Sequence, residues 1–261
     1  MIGALWTSAS GLLSQRAAVD AISNNVANVS TTGFKRNITQ FQDLSYMQAN
    51  ALGEFEPDNS SRTGISIGTG VRVASTQRIF NQGRLEATDN PYDVAIDGAG
   101  FFRVQLPDGT PAYTRDGSFN ADSTGKLTTP QGYTLDPAIT LPEGATDLNI
   151  LPNGQVRVVD IETGELREVG TITLFKFDNP NGLLAVGENV FVPTVASGNV
   201  VEEIPESNGV GRLTQNFVEG SNVELADEMT QLVIAQRAYE VNSRALKTAE
   251  EMLMIATNIR A

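Results

Sequence analysis

Residues Ser221–Ala261 read SNVELADEMTQLVIAQRAYEVNSRALKTAEEMLMIATNIRA, with no glycine or proline anywhere in the run. Within it Leu225, Leu232, Tyr239, Leu246 and Leu253 recur at every seventh position, the spacing of a coiled-coil seam. Ala235, Ala249 and Ala256 stand at the companion seam position. A second apolar stripe, Ile234, Ala238, Val241, Ala245, Met252, Ile255 and Ile259, falls on roughly the opposite side. A helix that is apolar on two faces has to be covered on both. One partner is supplied by the chain itself, as shown next; the other has to come from elsewhere. Ser221-Asn222 reads as the N-cap, with Glu224, Asp227 and Glu228 placed near the positive helix end.

The first segment supplies the partner helix. Leu5, Leu12, Val19 and Val26 recur every seven residues, joined by Ile2, Ala9 and Ile22, and form one stripe at about 100° per residue. The run Ser30-Thr31-Thr32-Gly33 combines weak helix formers with a terminal glycine, so the helix should stop there. Between the two helical ends, turn dipeptides punctuate short strand-like stretches: Asp97-Gly98, Asp108-Gly109, Asp116-Gly117, Asn153-Gly154, Asn181-Gly182 and Asn208-Gly209. The expected fold is α+β, with the terminal helices forming a coiled-coil-like helical domain around an inserted all-β domain. By position this means a helical arm over 1–45, an extended loop or insertion over 46–70, the β domain over 71–220 and the last helix over 221–261.

Composition narrows the chemistry. The 261 residues contain neither cysteine nor histidine, which removes disulfides, thiolate catalysis, Cys/His metal sites and histidine bases together. The net charge of −13 argues against nucleic acid, which demands a basic surface. Residues 91–220 hold 18 acids and seven bases, so the charge lies on the middle and the ends are close to neutral. Like charge keeps a surface solvated. The middle is therefore expected to face outward and the ends to pack. No run of about 18 apolar residues suggests a transmembrane helix, and Met1–Thr7 lacks the basic start of a cleavable signal peptide.

Several local patterns imitate sites. Gly68-Thr69-Gly70 has no third glycine and runs into Val71-Arg72-Val73, so it reads as a β turn. Asn120–Gly125 resembles half a calcium loop, but its twelfth position is Gln131, which lacks the bidentate carboxylate; it reads as a hairpin turn. Carboxylates such as Asp93 and Asp97 invite a glycosidase reading, yet among 18 acids in one domain a solvated surface is the simpler account. Arg115-Asp116-Gly117 reads as a turn flanked by Tyr113 and Phe119. Neither cofactor nor catalytic residue is implied.

Asn24-Asn25-Val26-Ala27-Asn28-Val29-Ser30-Thr31-Thr32-Gly33-Phe34-Lys35 resembles the N-terminal signature of flagellar rod and hook proteins. Ser221–Leu225 and Gln236-Arg237-Ala238-Tyr239-Glu240 resemble the matching C-terminal region, and Asp97–Phe102 with Tyr113–Phe119 the central domain. The resemblance spans essentially the whole chain. It implies a non-enzymatic subunit that polymerises into a hollow helical shaft across the periplasm, carries torque to the hook and leaves an export channel. One β domain at this length suits the distal part of the rod, the proximal part being the alternative. Its implied partners are further copies of itself, proximal rod proteins, the hook protein, the peptidoglycan- and outer-membrane-associated rings and the type III export apparatus. On this reading Leu5, Leu12, Val19, Asn24, Asn25, Asn28, Gly33 and Phe34 join Leu225, Leu232, Ile234, Tyr239, Val241, Leu246 and Leu253 as expected subunit contacts.

Two other classes compete. A cell-wall glycan hydrolase would need converging acids in a cleft, and a trimeric fibre module would carry its heptads in one continuous rod rather than at opposite chain ends. Met47–Gly64 is polar and turn-rich, and Phe55 supplies an apolar anchor. It occupies the place of an arm that could tie adjacent subunits and resist sliding. Deleting Met47–Gly64 should leave export and polymerisation intact but give a curved polymer under electron microscopy; straight tubes of unchanged stiffness would deny the segment a mechanical role.

Overall fold

The computed structural model describes residues 2–48, 66–142, 146–159 and 166–258. Most of Met47–Gly64 lies outside these residues. The chain divides into two compact units, one formed by residues 1–26, 37–77 and 224–261, the other by 27–36 and 78–223.

The first unit is built on two long helices, α1 (Ile2–Ala27) and α2 (Leu225–Asn258). Two small two-stranded ribbons accompany them, Asn37–Asp43 with Val71–Arg78 and Tyr46–Gln48 with Ser66–Gly68. Helix α1 ends where the glycine signal placed it, in a turn over 28–33, with Gly33 at φ +67°. The N-cap expected at Ser221-Asn222 is not used. The Asn222 amide instead donates to the carbonyls of Ile79 and Asn81 and accepts from the Arg36 N–H, so α2 begins at Leu225. Asparagine serves caps and loop tethers with the same chemistry, and here the tether wins.

The seam between the helices is made of small and polar groups. Gly11, Ser14 and Asn25 are buried on α1, and Glu228, Ala235 and Ala249 on α2. A Cβ at Gly11 would stand 2.8 Å from the Asn242 side-chain nitrogen, so a larger residue there would have to push that amide aside. The leucine and valine stripes flank this line: Leu5, Leu12, Val19, Leu232, Leu246 and Leu253 are only half-buried.

The second unit is antiparallel β throughout. Its largest sheet has seven strands in the order 184–187, 190–192, 111–114, 102–105, 134–136, 127–128 and 120–121. A three-stranded meander covers 146–150, 155–159 and 166–171. Three further pairs join 174–177 to 200–203, 94–97 to 212–215, and 85–87 to 217–219. Alternation in strands such as Gln155–Val159 points Val156 and Val158 inward, and they meet Val94, Ile96, Phe102, Phe119, Leu135 and Ile172 in one core. A second cluster is aromatic, with Phe80, Phe101, Phe177 and Phe191 in edge-to-face contacts and Tyr113 against Phe177 at 4.8 Å. Asp122 closes the Asn120–Gly125 hairpin by accepting from the N–H groups of Thr124 and Lys126. That local closure is why the segment looked like half a calcium loop.

The aromatic core supplies a direct check. Phe102→Ala should cost about 3–5 kcal/mol of the β unit's stability, because its ring is fully buried against Phe119 at 5.2 Å. Urea denaturation followed by near-ultraviolet circular dichroism measures it.

Candidate assembly interface

Neither helix of the first unit covers its own apolar surface. On α1, Trp6 is 71% exposed and Leu13, seven residues on, 70%. On α2 the stripe that was expected to need an outside partner lies open: Ile234 is 55% exposed, Val241 63% and Ile255 60%, with Met252 beside them. Leu225, Met229, Val233, Tyr239 and Met254 add to the exposed apolar surface. An apolar surface of this extent on a soluble monomer marks an interaction site. Trp6, Leu13, Met229, Val233 and Met254 were not singled out in the sequence, although the seven-residue step from Trp6 to Leu13 was there to read.

The asparagines of the N-terminal signature divide. Asn25 is buried, donating to the Asn37 carbonyl at 2.8 Å and to Glu228 Oε2 at 3.2 Å and accepting from the Asn37 N–H at 2.9 Å. It fastens the helical unit from within. Asn24 is exposed, and Asn28 is half-buried and accepts from the Thr31 hydroxyl.

Gly33 and Phe34 are buried inside the β unit, where residues 27–36 pack. The Gly33 N–H donates to the Glu219 carbonyl at 2.7 Å, and a Cβ on Gly33 would come within 2.7 Å of the Asp116 backbone nitrogen. Next to it lies a buried charge cluster. Lys35 Nζ donates to Glu219 Oε1 at 2.5 Å and to the Asn81 carbonyl at 2.9 Å. Arg115 donates to Glu219 Oε2 at 3.3 Å and to the Gly98 carbonyl at 2.9 Å. The Gly83 N–H gives Glu219 a further donor at 2.8 Å. Burial pushes the Lys35 ammonium pKa down, and Glu219 only partly restores it; burial lowers Arg115 in the same way. Asp116, expected in a turn, is buried as well, and desolvation raises its carboxyl against the hydrogen bonds from Ser118. The Arg115-Asp116-Gly117 stretch is thus an internal clasp. Two cations depend on one carboxylate, which sets an asymmetry tested below.

Among the described residues, no group of three or more His, Cys, Asp or Glu is placed to hold a metal ion. Comparison with known proteins agrees with an assembly role. Family models match in chain order: "Flagella basal body rod protein" over residues 5–35, "Flagellar hook protein FlgE/F/G D1 domain" over 95–158, and "Flagellar basal body rod FlgEFG protein C-terminal" over 214–259. The flagellar basal-body rod protein FlgG of Borreliella burgdorferi is 46% identical over 100% of this chain and 99% of its own. The FlgG of Bacillus subtilis is 34% identical over the whole of both chains. The chain belongs to the flagellar basal-body rod protein family. A FlgF protein from Caulobacter vibrioides also matches, at 32% identity over 97% of this chain, against 42% for FlgG of the same organism. The alignment is thus strongest with FlgG, the distal rod protein, and the chain is a non-catalytic structural subunit of the flagellar rod.

In this rod subunit Glu219→Ala should cost about 3–5 kcal/mol, because it leaves two cations buried without a counter-charge. Lys35→Met should cost clearly less, since Arg115 keeps its partner. Urea unfolding of the two variants measures the difference; equal losses would mean that Glu219 does not serve both cations.

Proposed function

We propose that this rod protein assembles into the distal rod through the open faces of α1 and α2, forming a hollow helical shaft. The observation that carries the reading is the exposed stripe Ile234, Val241, Met252 and Ile255 on a helix whose other side already faces α1. Each copy offers an apolar face that its own chain does not cover, and contacts between unlike surfaces that do not close into a ring propagate into an open helix. Many such contacts, repeated around the tube, give the torsional stiffness that a drive shaft needs.

On this reading the half-buried flanks Leu5, Leu12, Val19, Leu232, Leu246 and Leu253 become fully buried on assembly, together with Leu225 and Tyr239. Asn24 and Asn28 offer uncharged donors and acceptors at the contact. Asn25, Gly33 and Phe34 act from inside the chain, shaping the contact without meeting the neighbour. The acidic β unit faces outward, where uniform charge limits adhesion to surrounding structures. The rod crosses the periplasm within the peptidoglycan- and outer-membrane-associated rings, between proximal rod proteins and hook protein. The subunit reaches its place through the flagellar type III apparatus without cleavage.

Ile234→Asp with Val241→Asp should abolish polymerisation, because each copy would bury two unpaired carboxylates. The same variant should keep the near-ultraviolet spectrum of the β unit. Analytical sedimentation decides it: tubes of normal length from this variant would remove the α2 face from the interface.

A further inference from the structure

The helical unit also carries a groove of about 490 Å³, lined by Arg16 and Val19 of α1 and by Gln236, Tyr239 and Glu240 of α2. Its composition is specific. Val19 and the Tyr239 ring offer apolar surface, Arg16 a cation, and Gln236 and Glu240 oxygen acceptors. A purely aliphatic side chain would leave the polar part of this lining unused. A flat aromatic with one N–H donor would use all of it, through ring contact with Tyr239, a cation–π contact with Arg16 and a hydrogen bond to Gln236 or Glu240.

The chain contains one such side chain, its single tryptophan, Trp6, and holds it out in solvent on α1. Trp6 cannot reach the groove of its own chain. Arg16 and Val19 stand 10 and 13 residues further along the same helix, about 15–20 Å at a rise of 1.5 Å per residue. A second copy displaced along the helix direction can supply it.

We propose that the Trp6 indole of one subunit seats in the Arg16/Val19/Gln236/Tyr239/Glu240 groove of a neighbouring copy. This rests on the assembly reading above and gives it a specific contact. Knob and groove are different surfaces of one chain, so the contact is heterologous and, where the rotation between copies does not close a ring, repeats along a filament. A seated aromatic of this size buries roughly 150–250 Å², and tryptophan in a partly polar pocket is the usual chemistry of an interface hot spot.

The absence of cysteine makes the test clean. A Trp6→Cys chain is doped into an excess of Gln236→Cys chain, polymerised and mildly oxidised, so that each chain carries one thiol. The expected product is a disulfide dimer joining the two variants, absent from the dispersed mixture. Polymer that yields no such mixed dimer overturns the contact. Tryptophan emission of the unmodified protein reads the same residue without mutation: it should shift to the blue and become shielded from acrylamide on polymerisation. Emission unchanged between dispersed and polymerised protein overturns the proposal even if Trp6→Cys assembles poorly. Trp6→Ala should raise the critical concentration by about tenfold or more, and Trp6→Phe by less, because it keeps the ring and loses only the N–H. Should the unmodified chain form no polymer at all, the assembly reading falls, and this contact with it; polymer with solvent-exposed Trp6 sinks the contact alone.

Discussion

The small, polar seam between α1 and α2 is the constraint on which the helical unit depends. Gly11 lies against the Asn242 side chain, and Ser14, Asn25, Glu228, Ala235 and Ala249 fill the rest of the buried line. Small and polar side chains remove little apolar area from water. At roughly 25 cal/mol per Å², a seam of this kind stabilises a helix pair far less than a leucine core would. The large apolar residues are displaced to the flanks and outer faces, where Trp6, Leu13, Ile234, Val241 and Ile255 stand in solvent. Under the assembly proposed above, these outer faces are the surface that other copies would cover.

The β unit is organised in the opposite way. Val94, Ile96, Phe102, Phe119, Val156, Val158 and Ile172 are fully buried within it, and the aromatic cluster forms a second core. It also takes in residues 27–36 through Gly33, Phe34 and the Lys35–Glu219–Arg115 cluster. Buried charges contribute little net stability when paired and are costly when one partner is removed. Their effect here is to fix one placement of that segment, since any shift would strand a charge. The family signature thus has two jobs, with Asn25 in the helical unit and Gly33-Phe34-Lys35 in the β unit.

Much of this was legible in the sequence because it was local. Seven-residue periodicity marked both helices, the Ser30–Gly33 run marked the end of α1, and the second stripe of α2 marked an uncovered face. The acidic middle showed as β through its turn dipeptides, though only some of them make hairpins: Asn181-Gly182 lies in a 3₁₀ turn and Asp97-Gly98 at the end of a strand. What escaped was non-local. Nothing near Lys35 announces Glu219, 184 residues away. Arg115-Asp116 looks like a surface turn until Glu219 and the 27–36 segment close over it, and Asn222 looks like a cap until the 79–81 carbonyls claim its amide. On α2 the companion positions Ala235 and Ala249 are buried as read, whereas the heptad leucines stand on the flanks and the buried Gly11 and Ser14 of α1 carry no hydrophobic signal.

The central claim is that the helices draw their stability from neighbouring subunits while the β unit stands alone. Amide hydrogen exchange on dispersed and polymerised protein tests it directly. Amides of Ile2–Ala27 and Leu225–Asn258 should exchange quickly in the dispersed chain and become strongly protected in the polymer. Those of the Val94–Asp97 and Phe102–Gln105 strands should be protected equally in both. Helices as well protected in the dispersed chain as in the polymer would contradict the account.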